Sequence, residues 1–153
     1  MKRKILIGIL IFLILIQFIR PQRNTGNAFG RNDITHEINI PDSVMKILKV
    51  SCFDCHSNHT NYPWYAEINP VGWWLTHHVN EGKNELNFSE FATYSPKKKA
   101  KELEGISELV KKHEMPLTSY TLIHSDAKLS EQQINALVRW ADMARAQIRL
   151  TTQ

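Results

Sequence analysis

An all-α fold is what this 153-residue chain predicts. Three observations carry the expectation. Several stretches after residue 41 space their apolar residues at i, i+3, i+4 and i+7, strand-like alternation is weak throughout, and the chain's two cysteines sit in Cys52-Phe53-Asp54-Cys55-His56. On a helix, positions i, i+3 and i+4 share a face, so Cys52, Cys55 and His56 would point at the same object.

Residues 1–20 read as an export signal retained as a membrane anchor. Met1-Lys2-Arg3-Lys4 precedes an apolar run from Ile5 to Ile19, interrupted only by Gly8 and Gln17 and closed by Arg20-Pro21. A basic cluster ahead of such a run is the pattern of a secretory signal. The stretch 14–20 offers no small-residue cleavage site, and no cysteine follows for lipid attachment. Fifteen residues of helix rise about 22 Å against a hydrocarbon core of about 30 Å, so a single transmembrane helix here would rely on snorkelling by Lys4 and Arg20 and on local thinning. Basic residues are denser before the run than after it, where Arg20 and Arg23 stand, which favours an N-terminus inside and the remainder on the periplasmic face of the cytoplasmic membrane.

The net charge of +4 belongs to this segment. Residues 24–153 keep 14 of the 19 Lys/Arg against all 15 acidic side chains. No nucleic-acid partner is expected from that balance.

Residues 21–41, polar and punctuated by Pro21, Gly26, Gly30 and Pro41, read as a tether. One small folded domain is expected over 42–150. Asp42 or Ser43 would cap its first helix, with Val44, Ile47 and Leu48 on one face, running into the cysteine motif. An Asn-rich loop, 57–69, leads to a second helix starting near Pro70, with Val71, Trp74, Leu75 and His78 as its apolar stripe. Ser95-Pro96 opens a third, carrying Leu103, Ile106 and Val110, and its basic run Lys97–Lys99 reads as a solvated face. Ser130, with Gln133 in the capping-box position, opens a fourth whose stripe is Ile134, Leu137, Val138 and Ala141.

C-x-x-C-H is the attachment signature of c-type haem: the thiols become thioethers on the two vinyl groups, and the imidazole binds iron. A redox dithiol would belong near a βαβ pattern, and none is visible. Zinc would need two further ligands from scattered histidines, without the spacing that marks them. One covalently bound haem is therefore the expected cofactor, held by Cys52, Cys55 and His56. Attachment of haem c outside the cytoplasm agrees with the export signal. Trp64, Tyr65, Trp73 and Trp74 are expected to line the haem pocket.

The chain resembles a class I cytochrome c and, more narrowly, the haem-binding domain family of small exported bacterial proteins. The residues that carry the likeness are Cys52-Phe53-Asp54-Cys55-His56-Ser57-Asn58, Pro63-Trp64-Tyr65, Pro70-Val71-x-Trp73, Glu81-Gly82, Asn87-Phe88-Ser89, Met115-Pro116, Tyr120-x-x-x-His124 and the helix start at Leu129-Ser130. They span about residues 40–148, with Phe91 standing where the family pattern suggests Trp. The resemblance implies covalent haem in an exported domain. Carried over from the cytochrome pattern, Met115 is the expected sixth ligand. His78, a polar ring on an apolar stripe, is its rival, and an open site is the third case. Met143, inside the last helix, reads as a core filler.

The function expected on these grounds is that of a membrane-anchored monohaem c-type cytochrome. It would carry one electron at a time between other redox proteins met through small, transient contacts, and would not itself be an enzyme. A haem-based sensor or ligand-binding module is the alternative, and a haem peroxidase a more distant one.

Overall fold

In the computed structural model, residues 1–150 are described. They form seven α-helices joined by short 3₁₀ turns, and among them no strand is present beyond one isolated bridge between Thr25 and His59. The all-α expectation holds.

Helix α1, Lys2–Leu15, is apolar on every side and buries none of its residues. A 3₁₀ turn at Ile16–Phe18 ends it. Among the described residues no helix is long and apolar enough to cross a membrane, so the expected transmembrane helix is not supported. The run breaks because its last part is docked on the domain. Gln17 Nε2 donates to Asn69 O at 3.0 Å, and Asn69 N donates back to Gln17 Oε1 at 2.9 Å. Asn69 Nδ2 reaches both Ile16 O and Ile19 O at 2.9 Å.

The segment 21–41, expected as a tether, packs against the domain as well. Asn24 donates through its side chain to Ser57 O and Thr60 Oγ1, its amide donates to the Tyr62 hydroxyl, and its Oδ1 accepts from Lys83. Ile34 and Ile38 lie in the main core. The segment's polar composition hides this: its few aliphatics follow no helical or strand period, because a turn at Ile34–His36, capped by Asp33, presents them to the core.

Helix α2, Asp42–Ser51, buries Val44, Ile47 and Leu48 as its spacing predicts. A backbone kink at Cys52 separates it from the single turn α3, Phe53–His56. Helix α4, Val71–Glu85, starts where expected but turns a different face inward: Gly72, Leu75 and Val79 are buried, while Val71 and Trp74 are exposed. Helix α5, Pro96–Lys111, has Ser95 Oγ accepting from Lys98 N, and buries Leu103 and Val110. Its basic run is only partly solvated, because Lys99 is buried and bonds Glu37 at 2.6 Å. Helix α6 is the turn Thr118–Thr121. Helix α7, Glu131–Leu150, opens with the capping box: Ser130 N donates to Gln133 Oε1 at 2.8 Å, and Gln133 N to Ser130 Oγ at 3.3 Å. Its predicted stripe is buried in full, but Met143 points outward rather than filling the core.

Helix α7 packs on α5 and α2, closing a core centred on Leu48, Phe88, Phe91, Leu103 and Leu137. A smaller cluster, Ala66, Leu75 and Val79, joins α4 to the loop before it. The turn α3 lies between these two bodies, packed on α4. Its position is set by Gly82: a Cβ there would stand 2.8 Å from Cys55 O and 3.1 Å from Cys55 Cβ, so only glycine lets the two backbones approach this closely.

Candidate functional site

Between α3, α4, α5 and the 115–120 loop lies a cavity of about 550 Å³. That is within the range of roughly 300–1,000 Å³ usual for small-molecule and cofactor sites. Cys52, Cys55 and His56 line it, and so do Met115 and His78. Leu48, Leu86, Phe88, Ile106, Leu109 and Val110 supply apolar wall, and Glu81, Glu85 and Glu102 supply carboxylates.

The local fold prepares the histidine. His56 is bonded through Nδ1 to Leu86 O at 3.0 Å. A carbonyl only accepts, so Nδ1 carries the hydrogen and the Nε2 lone pair is left for a metal. Burial lowers the pKa of His56, which keeps the ring neutral. Both thiols are free. Burial, with Cys55 nearby, pushes Cys52 up to about 12, and burial together with the Asp54 carboxylate pushes Cys55 up to about 11. Among the described residues no three His, Cys, Asp or Glu side chains are grouped to hold a metal ion. Two neutral thiols and one neutral imidazole on the wall of a largely apolar cavity suit a large flat cofactor that brings its own metal, and haem fits that donor set.

Asp54, between the two cysteines, ties this turn to its surroundings. One carboxylate oxygen accepts from Asn61 N at 3.0 Å and Asn61 Nδ2 at 3.1 Å, the other accepts from the Tyr120 hydroxyl at 2.8 Å, and its carbonyl accepts from Thr60 Oγ1 at 2.6 Å. Burial first, then the charge and hydrogen bond of Asp54, raise the pKa of Tyr120 far above the ordinary tyrosine value. Tyr120 lines the cavity, so this bond joins the cysteine turn to the loop that carries Met115. Asn58 forms a second tie: its amide donates to Ser89 Oγ at 2.9 Å and its Oδ1 accepts from Asn87 Nδ2 at 2.8 Å. The Asn87-Phe88-Ser89 block is thereby fixed beside the motif, with Phe88 stacked on Phe53 at 5.1 Å.

The four aromatics expected to line the pocket do not line this cavity. Trp64 is 77% exposed. Tyr65 shares a hydrogen bond of 2.6 Å with His124 Nε2. Trp73 donates its indole N–H to Ile19 O at 2.9 Å. Trp74 lies against the His78 ring at 4.2 Å. Their abundance says that they bury area somewhere, but nothing in their spacing says where. His78, half-buried, bonds Trp74 O through Nδ1 at 2.9 Å and reaches the cavity edge.

Sequence reasoning missed the Leu86 carbonyl, which has no side-chain signature, and Asp54, which occupies a variable position of the motif. The carboxylates Glu81 and Glu85 carried an i, i+4 signal that went unused.

A family model described as a haem-binding domain matches residues 11–143. Comparisons with curated proteins and with solved structures find no match.

Proposed function

The chain belongs to the haem-binding domain family, and from that premise we propose that it is a membrane-anchored monohaem c-type cytochrome, an electron carrier rather than an enzyme, working on the periplasmic side of the cytoplasmic membrane. The supporting observation is that Cys52, Cys55, His56 and Met115 line one cavity, with His56 already oriented by Leu86. Cys52 and Cys55 would hold haem through thioether links to its two vinyl groups. His56 would ligate through Nε2, and Met115 through its thioether.

Bound there, haem supplies a one-electron ferric/ferrous couple. The residues do the rest. Leu86 O fixes the imidazole tautomer and keeps it a good donor. The Asp54–Tyr120 bond holds the cysteine turn and the Met115 loop in one frame, so that the ligands need little rearrangement when charge changes. The aliphatic and phenyl side chains exclude water, and a thioether ligand in such a pocket raises the potential. Redox partners would meet the protein through small, transient contacts. The basic, apolar N-terminal segment would keep it at the membrane, the short helix being accommodated by local thinning and by Lys4 snorkelling.

One observation favours a second reading. Glu81, Glu85, Glu102 and His78 place acid–base groups on the cavity, as a ligand-binding or peroxidase site with an open iron position would need. Visible spectra of the purified holoprotein, oxidised and reduced, with and without carbon monoxide, separate the two. A low-spin c-type spectrum with a methionine–iron charge-transfer band, unchanged by carbon monoxide, is expected. A high-spin spectrum that shifts with carbon monoxide would favour the open-site reading, and absence of haem absorbance from exported protein would overturn both.

A further inference from the structure

Helix α1 does not end in a free linker. Beyond the Gln17 and Asn69 bonds, Trp73 Nε1 holds Ile19 O, and Arg20 donates to Glu67 O at 2.6 Å while Arg23 pairs with the Glu67 carboxylate. This seam makes the base of α1 and the start of α4 one body. Close to it in sequence are large apolar side chains left open to solvent: Phe18 is 79% and Trp64 77% exposed, and Ile19, Ile68, Val71 and Trp74 are exposed too. Monomeric soluble domains rarely gather such residues in one place, and Trp is enriched at the level of lipid headgroups.

We propose that this face, centred on the Asn69 seam, is a lipid-contact surface seated in the interface of the same bilayer that receives α1. The proposal rests on the membrane reading above and adds a fixed posture to it. The length of α1 is the argument for lipid as the occupant. From Ile5 to Leu15 the helix rises about 16 Å, and the 3₁₀ turn after it adds about 6 Å, leaving the apolar stretch some 8 Å short of a hydrocarbon core of about 30 Å. A domain hung on a loose chain would add nothing to that length. A domain fixed by the seam, which ties Ile19 to Asn69 and Trp73, next in sequence to the exposed Ile68 and Trp74, sinks into the interface and supplies the missing apolar depth. Two guanidiniums, Arg20 and Arg23, share the single carboxylate of Glu67, which leaves positive charge at the level of the lipid phosphates.

The test uses full-length holoprotein in phosphatidylcholine–phosphatidylglycerol vesicles doped with a phosphatidylcholine that carries a diazirine on its acyl chain. Alkaline carbonate extraction is run in parallel. Expected are resistance to extraction and, after illumination, lipid adducts on peptides covering 64–74 but not on peptides of α7, which packs on α2 and α5. The double variant Trp64→Ser/Ile68→Ser should keep its haem spectrum and its resistance to extraction but lose most of those adducts. Resistance to extraction with no adducts on 64–74, or with equal adducts on α7, would overturn the seated face and leave anchoring standing. Ready extraction by carbonate would remove the anchoring itself, and this proposal with it.

Discussion

Replacing Gly82 with alanine tests whether α4 positions the Cys52–His56 turn by close backbone contact. The added Cβ would lie 2.8 Å from Cys55 O, whereas carbon–oxygen contacts of this kind settle at about 3.3–3.6 Å. The two backbones must therefore part by about 0.5–0.8 Å. Overpacking of this kind costs about 1–3 kcal/mol, and the obstacle here is backbone, which puts the cost in the upper part of that range. Alanine recovers about 1 kcal/mol through its helix propensity. The net loss is about 1–2 kcal/mol, equivalent to a fall in Tm of roughly 3–8 °C for a domain of this size. The displacement also has a chemical reading. One turn past Gly82, Leu86 O holds His56 Nδ1 at 3.0 Å, and a shift of this size takes that bond to the limit of about 3.5 Å beyond which it ceases to be one. Thermal denaturation followed at the haem absorbance measures the first effect, and the fraction of exported protein carrying haem measures the second. A Tm at or above that of the unaltered protein, with full haem content, would refute the close-contact argument.

Met115→Ala should abolish the methionine–iron charge-transfer band and lower the reduction potential, while His78→Ala leaves both unchanged; potentiometry with optical detection checks the pair, and the reverse pattern would move the sixth ligand to His78. Tyr120→Phe removes a hydrogen bond to the Asp54 carboxylate at a half-buried position, for a loss of about 1 kcal/mol. Because folding raises the pKa of Tyr120, its contribution is complete below the unfolded value of about 10 and is lost as pH rises beyond it, so urea titrations should show a gap between wild type and variant that narrows in the alkaline range. Lys99→Ala leaves Glu37 without its partner; the glutamate is partly exposed, so about 2 kcal/mol is expected, read as a lower urea midpoint and faster tryptic cleavage after Arg31. Protein made without haem should be cut by proteases well inside 42–150 at a rate the holoprotein does not show, and equal resistance would mean that the core closes without the cofactor.

What the sequence made legible was local. Ser130 with Gln133, and Ser95 with Pro96, mark helix starts because capping involves residues three positions apart, and the stripe of α7 is buried because one periodic apolar face had one core to meet. The orientation of α4 was not legible in the same way. Val71 and Trp74 outweigh Gly72 in hydrophobicity, yet Gly72 and Gly82 face inward because backbones approach there, and close approach selects for the absence of a side chain. The gathering of Cys52, Cys55, His56 and Met115 around one cavity could be anticipated from the motif and the family pattern. Leu86 O and the Asp54–Tyr120 bond could not, since one is backbone and the other joins residues 66 positions apart. Lys99 looked solvated because a charge run usually is, and its partner Glu37 lay in a segment whose composition suggested no fold at all.

The packing of residues 24–40 changes where the protein can be cut for study in water. A fragment starting at residue 42 would drop Ile34 and Ile38 from the core, uncover the apolar surface beneath them, and strip Lys99, Lys83 and the 57–60 loop of their partners. A fragment starting at Pro21 keeps all of these and gives up the apolar helix, the bonds that Asn69 and Trp73 make to residues 16–19, and those of Arg20 to Glu67. The piece that holds haem and the piece that folds therefore share a boundary some twenty residues earlier than a division by composition would place it.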